Sequence, residues 1–166
     1  MAIFFNAKEV ADIGKQIEVN GEKFYRRAAE LASNSDLVCL FEYLAAEEKV
    51  HQQIFEELGS RLPGQSGAPM TAEPGEEELY MKDLADHHVF NTGFDDIETM
   101  IQEHAEGTEV VDLALKFEVD SVKFFQQLQK VTPPEWGSAD IEKLVDEEKK
   151  HIERLEELKK NMEAAG

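Results

Sequence analysis

Apolar residues recur at a spacing of three or four along most of the chain, which is typical of amphipathic α-helices. Four long stretches carry this pattern, and we predict helices at about 7–32, 36–60, 108–131 and 139–163. No stretch of strand length shows a convincing alternation of apolar and polar residues. The sequence therefore predicts an all-α protein.

The connections between the predicted helices differ in length. The segments SNSD at 33–36 and TPPEWGSAD at 132–140 are short interruptions, so each joins two helices into a hairpin. The connection at 61–107 begins with a loop rich in proline and glycine, and two shorter amphipathic helices are expected within it at 76–90 and 95–106. Two hairpins joined by one long helical crossover predict a four-helix bundle.

Length and charge narrow the class of protein. With 166 residues, we expect residues 1–166 to form a single domain. The formal net charge of −19 would repel nucleic acids and anionic membrane surfaces, and no run of eighteen apolar residues could span a membrane. The single cysteine, Cys39, excludes an internal disulfide and a cysteine-rich metal site. We expect a cytoplasmic protein in which Cys39 is a small core side chain.

The chain is similar to itself at an offset of 100 residues. IEVNGEKFY at 17–25 matches FEVDSVKFF at 117–125, and EEKVH at 47–51 matches EEKKH at 147–151. The two hairpins are therefore copies of one unit, and packing them about a pseudo-two-fold axis would bring equivalent inward positions together.

Six polar residues of the repeat lie on the apolar faces of the predicted helices. Four buried carboxylates would be costly alone, whereas two divalent cations would balance their charge. The Glu-x-x-His spacing places a carboxylate and an imidazole one turn apart on one helix face. We therefore predict a two-metal centre. Six residues are its predicted ligands and also its predicted catalytic residues: Glu18, Glu48, His51, Glu118, Glu148 and His151. Oxygen and nitrogen ligands without thiolate favour Fe or Mn over structural zinc. The alternative is histidines paired with neighbouring glutamates for structure only.

Other polar residues near these positions are predicted to lie outside the ligand set. Glu22 has a valine as its repeat equivalent, and Glu47 and Glu147 lie about 100° around the helix from the ligand positions, so we expect them to be solvated or to contact the ligands from outside. The hydroxyl of Tyr25 could donate a hydrogen bond to a ligand carboxylate or donate an electron; the alternative is that Tyr25 packs in the core and its hydroxyl has no special role. Histidines in the crossover, at 87, 88 and 104, are expected to be solvated.

Four segments resemble helices of the rubrerythrin-like branch of the ferritin-like superfamily: IEVNGEKFYRRAAE, LFEYLAAEEKVHQQIFEEL, FEVDSVKFF and LVDEEKKHIERLEEL. The resemblance implies a ferritin-like four-helix bundle whose six matching positions bind two Fe ions, for which Mn or Zn could substitute. Two features depart from the family. The chain lacks the four cysteines of a rubredoxin-like site, and Ser121 stands where many members have a further glutamate. Bacterioferritins use a similar set of six ligands.

The resemblance implies a di-iron oxidoreductase that reduces H₂O₂ or O₂, which would be a peroxidase or an oxidase. We expect a separate electron-donor protein and a homo-oligomer, namely a dimer. One alternative is a ferroxidase or an iron-binding or storage protein without peroxide turnover. Another is a scaffold in which the metal only stabilises the bundle.

Overall fold

The computed structural model describes residues 7–61, 98–99, 101–103 and 107–166. Four long helices are present in these residues: α1 (Ala7–Leu31), α2 (Ser35–Arg61), α3 (Thr108–Val131) and α4 (Ser138–Ala165). Among the same residues there is no β-strand. The all-α prediction is confirmed, and the four helices begin and end close to their predicted bounds.

Polar caps end the helices where the sequence breaks its apolar pattern. Asn34 precedes α2, and its Oδ1 accepts hydrogen bonds from the backbone N–H groups of Asp36 and Leu37 at 2.9 and 3.3 Å. At the end of α3, the backbone N–H and the hydroxyl of Thr132 both donate to the carbonyl of Leu128. A 3₁₀ turn, Pro134–Trp136, then leads to α4.

Two apolar clusters hold the bundle together, and each contains residues from all four helices. The first cluster includes Phe24, Phe41, Val111 and Leu155. The second includes Ile17, Phe55, Phe124 and Ile141. Along every helix, the segment between its contributions to the two clusters carries the predicted ligands. A polar layer therefore lies in the middle of the bundle, with an apolar layer on either side.

The order of the clusters along each helix gives the direction of that helix. Helices α1 and α4 run from the second cluster to the first, whereas α2 and α3 run from the first to the second. Helix α1 lies beside α2 and α3, and α4 lies beside α2 and α3, so neighbouring helices are antiparallel. Helix α2 ends and α3 begins at opposite ends of the bundle, which explains why the chain needs a long connection there.

Most of the predicted crossover lies outside the described residues, including the helix expected at 76–90. Residues 98–99 and 101–103 are helical, within the helix expected at 95–106. Ile101 is buried in the first apolar cluster. Arg27 of α1 contacts both carboxylate oxygens of Glu98 through hydrogen bonds of 2.6 to 2.9 Å. This segment is thus attached to the bundle by apolar contacts of Ile101 and to α1 by the ionic contacts of Glu98.

The prediction for Cys39 is wrong, because the structure exposes its side chain. Cys39 lies two positions after the buried Leu37 on α2, and a step of two residues turns a helix by about 200°. Its side chain therefore points away from the core. Over the described residues, no helix combines the length and apolar character that crossing a membrane requires.

Candidate metal centre

All four helices contribute to the polar layer, and the six predicted ligands meet there. Each is between 0% and 4% exposed. Helices α1 and α3 contribute one glutamate each, and α2 and α4 contribute a glutamate and a histidine each: Glu18, Glu118, Glu48, His51, Glu148 and His151. The repeat places them at equivalent heights because both hairpins have the same spacing between these positions.

The six side chains form two overlapping groups, each suited to one cation. Glu18, Glu48, His51 and Glu148 present one ligand atom each, and these atoms all lie within 4.8 Å of one another. The same holds for Glu118, His151, Glu48 and Glu148. We call Glu18 with His51 the first half of the centre and Glu118 with His151 the second half. Glu48 and Glu148 belong to both groups, so each can contact two ions.

Both histidines turn Nδ1 towards the carboxylates. His51 Nδ1 lies 2.8 Å from Glu148 Oε1 and 3.5 Å from Glu18 Oε2. His151 Nδ1 lies 3.5 Å from Glu118 Oε1 and from Glu148 Oε2. The two rings are stacked, with centroids 5.4 Å apart. The nitrogen that can act as a ligand is therefore Nδ1 in both residues.

The donor atoms fit a pair of divalent cations. Among the described residues, buried Glu18 Oε1, His51 Nδ1, Glu148 Oε1 and His151 Nδ1 have no hydrogen-bond partner. The short approach of His51 Nδ1 to Glu148 Oε1 is thus not aligned as a hydrogen bond. Leaving buried polar atoms unpaired is costly, and ligation would remove that cost. Imidazole nitrogens with carboxylate oxygens form a donor set that iron accepts.

Crowding of negative charge in an apolar environment shifts the pKa values of the carboxylates. Burial, followed by the charge of Glu148, raises the pKa of Glu18 to about 7 and that of Glu118 to about 8. Burial and then the charge of Glu18 raise the pKa of Glu48 well above its ordinary value. Burial also raises the pKa of Glu148, but contacts with the two histidines hold it below its ordinary value. Without cations, the centre therefore takes up protons at neutral pH.

The carboxylates also raise the pKa values of the two histidines, and so favour positive charge in the polar layer. Burial lowers the pKa of His151, but Glu118 and Glu148 outweigh burial and raise it to about 11. The pKa of His51 is likewise lowered by burial and raised further by Glu148 and Glu18, ending well above its ordinary value. Cations in the polar layer would supply this positive charge and leave the rings neutral, as ligation requires.

Residues outside the six contact the ligands from several sides. Tyr25 donates its hydroxyl to Glu118 Oε1, as one reading of the sequence anticipated. Glu147 Oε2 lies 3.0 Å from His51 Nε2, so this glutamate contacts a ligand from outside. Glu22 is absent from both groups of ligand atoms, and it accepts a hydrogen bond of 2.7 Å from Gln52. The crossover histidines lie outside the described residues.

The sequence pattern does not identify Gln52, which contacts the backbone beside a ligand. Its Nε2 donates to Glu22 Oε2 at 2.7 Å and to the backbone carbonyl of Glu18 at 3.4 Å, so it ties α2 to α1 beside a ligand. The available signal is that Gln52 follows His51 directly, whereas the repeat equivalent is the apolar Ile152.

Comparisons with known proteins bear on the family and the fold of the chain. The rubrerythrin family model matches residues 12–107, which is more than half of the chain. A crystal structure from Thermotoga maritima, described as a ferritin-like diiron-carboxylate protein, is similar with a TM-score of 0.64 at 20% sequence identity. The similarity covers 96% of this chain and 98% of that chain, and it shows a ferritin-like fold. No curated protein matches the chain in sequence.

Proposed function

Because the chain belongs to the rubrerythrin family, we propose that it is a di-iron protein that reduces H₂O₂ or O₂. The observation that carries the proposal is the pair of overlapping groups of buried ligand atoms, which share Glu48 and Glu148. The proposed iron ligands are the six residues of the polar layer: Glu18, Glu48, His51, Glu118, Glu148 and His151. Unpaired donor atoms in both halves support this assignment.

Iron bound in this layer would supply the electrons that reduce the oxidant. The chain's own residues set the conditions for that chemistry. Glu48 and Glu148 each belong to both ligand groups, so each of them could contribute to holding either ion. Apolar layers on either side exclude water, which strengthens electrostatic interactions between the ligands and the ions. The hydroxyl of Tyr25 holds a proton beside Glu118 Oε1, within the polar layer.

Turnover of an oxidant requires an electron source, and we place that source in a separate protein. The single cysteine, Cys39, cannot ligate a rubredoxin-type iron site, which needs four thiolates. The chain has a formal net charge of −19, and an acidic protein would attract a donor protein with a basic docking face. The acidic surface thus favours a cationic partner.

The same acidic surface also favours a second candidate function, in which Fe(II) is the substrate. Negative potential raises the local concentration of cations near the protein. A ferroxidase or iron-storage protein would draw its electrons from Fe(II) itself and would need no protein donor. The two functions differ in what is consumed: peroxide with a reductant in the first, and Fe(II) with O₂ in the second.

Metal content tests the centre, and substrate consumption then separates the two functions. Anaerobic loading with Fe(II) should give two ions per chain, and Glu148→Ala and His151→Ala should each reduce this number. Glu47→Ala is the matched control, because Glu47 lies beside Glu48 but outside both ligand groups. If Glu148→Ala and His151→Ala both load like the native chain, the ligand assignment is wrong.

The loaded protein should consume H₂O₂ when a chemical reductant is supplied. The storage function would instead be identified by three results together. Fe(II) is oxidised, light scattering detects growth of a mineral-containing cage, and peroxide is not lost in a reductant-dependent way. Loss of neither substrate from a fully loaded protein would contradict both candidates.

A further inference from the structure

The two halves of the centre have the same ligands but different outer contacts. His51 and His151 are 0% and 1% exposed. His51 Nε2 nevertheless has Glu147 Oε2 at 3.0 Å, whereas within the described part of the chain His151 Nε2 has no hydrogen-bond partner. Glu47, the repeat equivalent of Glu147, therefore does not make the matching contact with His151 Nε2. The symmetry of the sequence is broken in the structure at this point.

This difference affects how each ring can act as a ligand. A neutral imidazole that binds a cation through Nδ1 must carry its proton on Nε2. At His51 that proton is donated to the carboxylate of Glu147, which fixes the tautomer and makes Nδ1 more basic. At His151 the same proton is buried without a described acceptor. Ligation is therefore more favourable at His51.

Glu18 and Glu118, each of which belongs to one ligand group only, differ in the same direction. In the part of the chain that the structure describes, Glu18 Oε1 is buried and has no hydrogen-bond partner, so this oxygen is available to a cation. Glu118 Oε1 accepts the hydrogen bond of Tyr25. The repeat equivalent of Tyr25 is Phe125, which has no hydroxyl to offer Glu18. One oxygen of Glu118 is thus engaged before any cation arrives.

The backbone beside Glu18 is also fixed more firmly. Gln52 donates to the carbonyl of Glu18 at 3.4 Å and is itself held by Glu22 at 2.7 Å. The repeat equivalent of Gln52 is Ile152, whose side chain has no donor for the carbonyl of Glu118. A ligand fixed before the ion binds loses less conformational freedom on binding.

From these differences we infer that the first half of the centre, Glu18 with His51, binds its ion more tightly and fills before the second half, and that Glu147 is the positioning residue responsible. The inference rests on the proposed function, because it requires a centre that holds two ions. It assigns the second half, Glu118 with His151, the more exchangeable ion.

Titration of the metal-free protein with Co(II), under anaerobic conditions, tests the inference. Calorimetry and the visible absorption of bound Co(II) should resolve two binding steps of unequal affinity in the native chain. Glu147→Ala should weaken the tighter step by about 10-fold to 100-fold, which is the usual effect of losing such an outer partner. Glu47→Ala, the repeat-equivalent control, should leave both steps unchanged. In Glu147→Gln, the uncharged amide oxygen can still accept a hydrogen bond from His51 Nε2–H. This variant should therefore recover part of the affinity that Glu147→Ala loses.

A second readout separates positioning from general structural damage. In the Co(II) protein, the proton on His51 Nε2 has a shifted NMR resonance, and it should exchange slowly with water because it is hydrogen bonded. Glu147→Ala should make this exchange fast. The helical content of the variant, measured by circular dichroism, should stay the same. Equal effects of Glu147→Ala and Glu47→Ala, or two equal native affinities, would overturn the inference. A native chain that binds fewer than two Co(II) ions would instead contradict the proposed function.

Discussion

Replacing Glu18 with glutamine should stabilise the metal-free protein while removing its ability to hold two ions. Glutamine resembles the protonated form of glutamate, and the folded protein favours that form here. Burial, with the charge of Glu148, raises the pKa of Glu18 from 4.5 to about 7. Keeping this carboxylate ionised in the fold therefore costs about 3 kcal/mol, at about 1.4 kcal/mol for each tenfold change in the proton equilibrium.

The sign of the effect depends on pH. A carboxyl whose pKa is raised by folding stabilises the fold below its unfolded pKa, and that contribution is lost as the pH rises through the folded pKa. At pH 8, Glu18→Gln should thus raise the free energy of unfolding by up to about 3 kcal/mol, which corresponds to about 6 to 12 °C in Tm for a chain of this size. At pH 5 the gain should be small, because Glu18 is then protonated in the fold.

Glu22→Gln is the matched control, one helical turn away. Burial raises the pKa of Glu22, but hydrogen bonds from Gln52 and Arg26 lower it below the ordinary value, so its charge stabilises the fold. This variant should lose up to about 1 kcal/mol at both pH values and keep its metal content. Thermal melts of metal-free and Co(II)-loaded protein at pH 5 and 8 measure all of these effects. A Glu18→Gln protein that is less stable than the native chain at pH 8 without metal would falsify the argument, since the carboxylate would then act as a structural partner of His51.

Four further perturbations test the packing of the bundle and the role of the metal. Tyr25→Phe removes a buried hydrogen bond to Glu118 and should lower the free energy of unfolding of the metal-free protein by about 1 to 2 kcal/mol in chemical denaturation; an unchanged midpoint would mean that this bond contributes nothing. Gly14→Ala places a methyl group against the ring of buried Phe55 and should cost about 1 to 2 kcal/mol. Gly59→Ala has ordinary space for its methyl group and should instead gain about 0.5 to 1 kcal/mol, so equal effects of the two glycine variants would contradict the packing described here. Removal of bound metal with a chelator should lower Tm at pH 8 but leave the far-ultraviolet helical signal intact at 25 °C, and unfolding on chelation would support the scaffold function.

The sequence predicted the helices because their apolar spacing is long and uninterrupted. It also predicted the composition of the polar layer. Glutamates and histidines on an apolar stripe are unusual, and their recurrence at a fixed offset shows that equivalent positions meet. Residues such as Glu48 and Glu148 could therefore be placed together without coordinates.

Contacts at the edge of the layer could not be predicted in the same way. Glu47 and Glu147 are identical in type and in repeat position, yet only Glu147 reaches the opposite histidine. Which of two equivalent side chains makes such a contact depends on the relative position of the hairpins, and shifts of an ångström decide it. The prediction for Cys39 is wrong for a different reason: cysteine is a residue type that favours the core, whereas position 39 lies on the exposed side of its helix.

The position of the polar layer bears on the choice between a scaffold and a functional centre. A metal that only stabilises the bundle is needed where the apolar core is too small to hold the helices together. Here two apolar clusters, one on each side of the layer, each join all four helices. Three of the four carboxylates between them, Glu18, Glu48 and Glu118, have raised pKa values, so keeping these three ionised costs free energy in the metal-free fold at neutral pH. A third apolar layer would have stabilised the bundle without any metal. Keeping four buried glutamates at such a cost is easier to explain by a role in binding and using metal ions than by a role in holding the helices together.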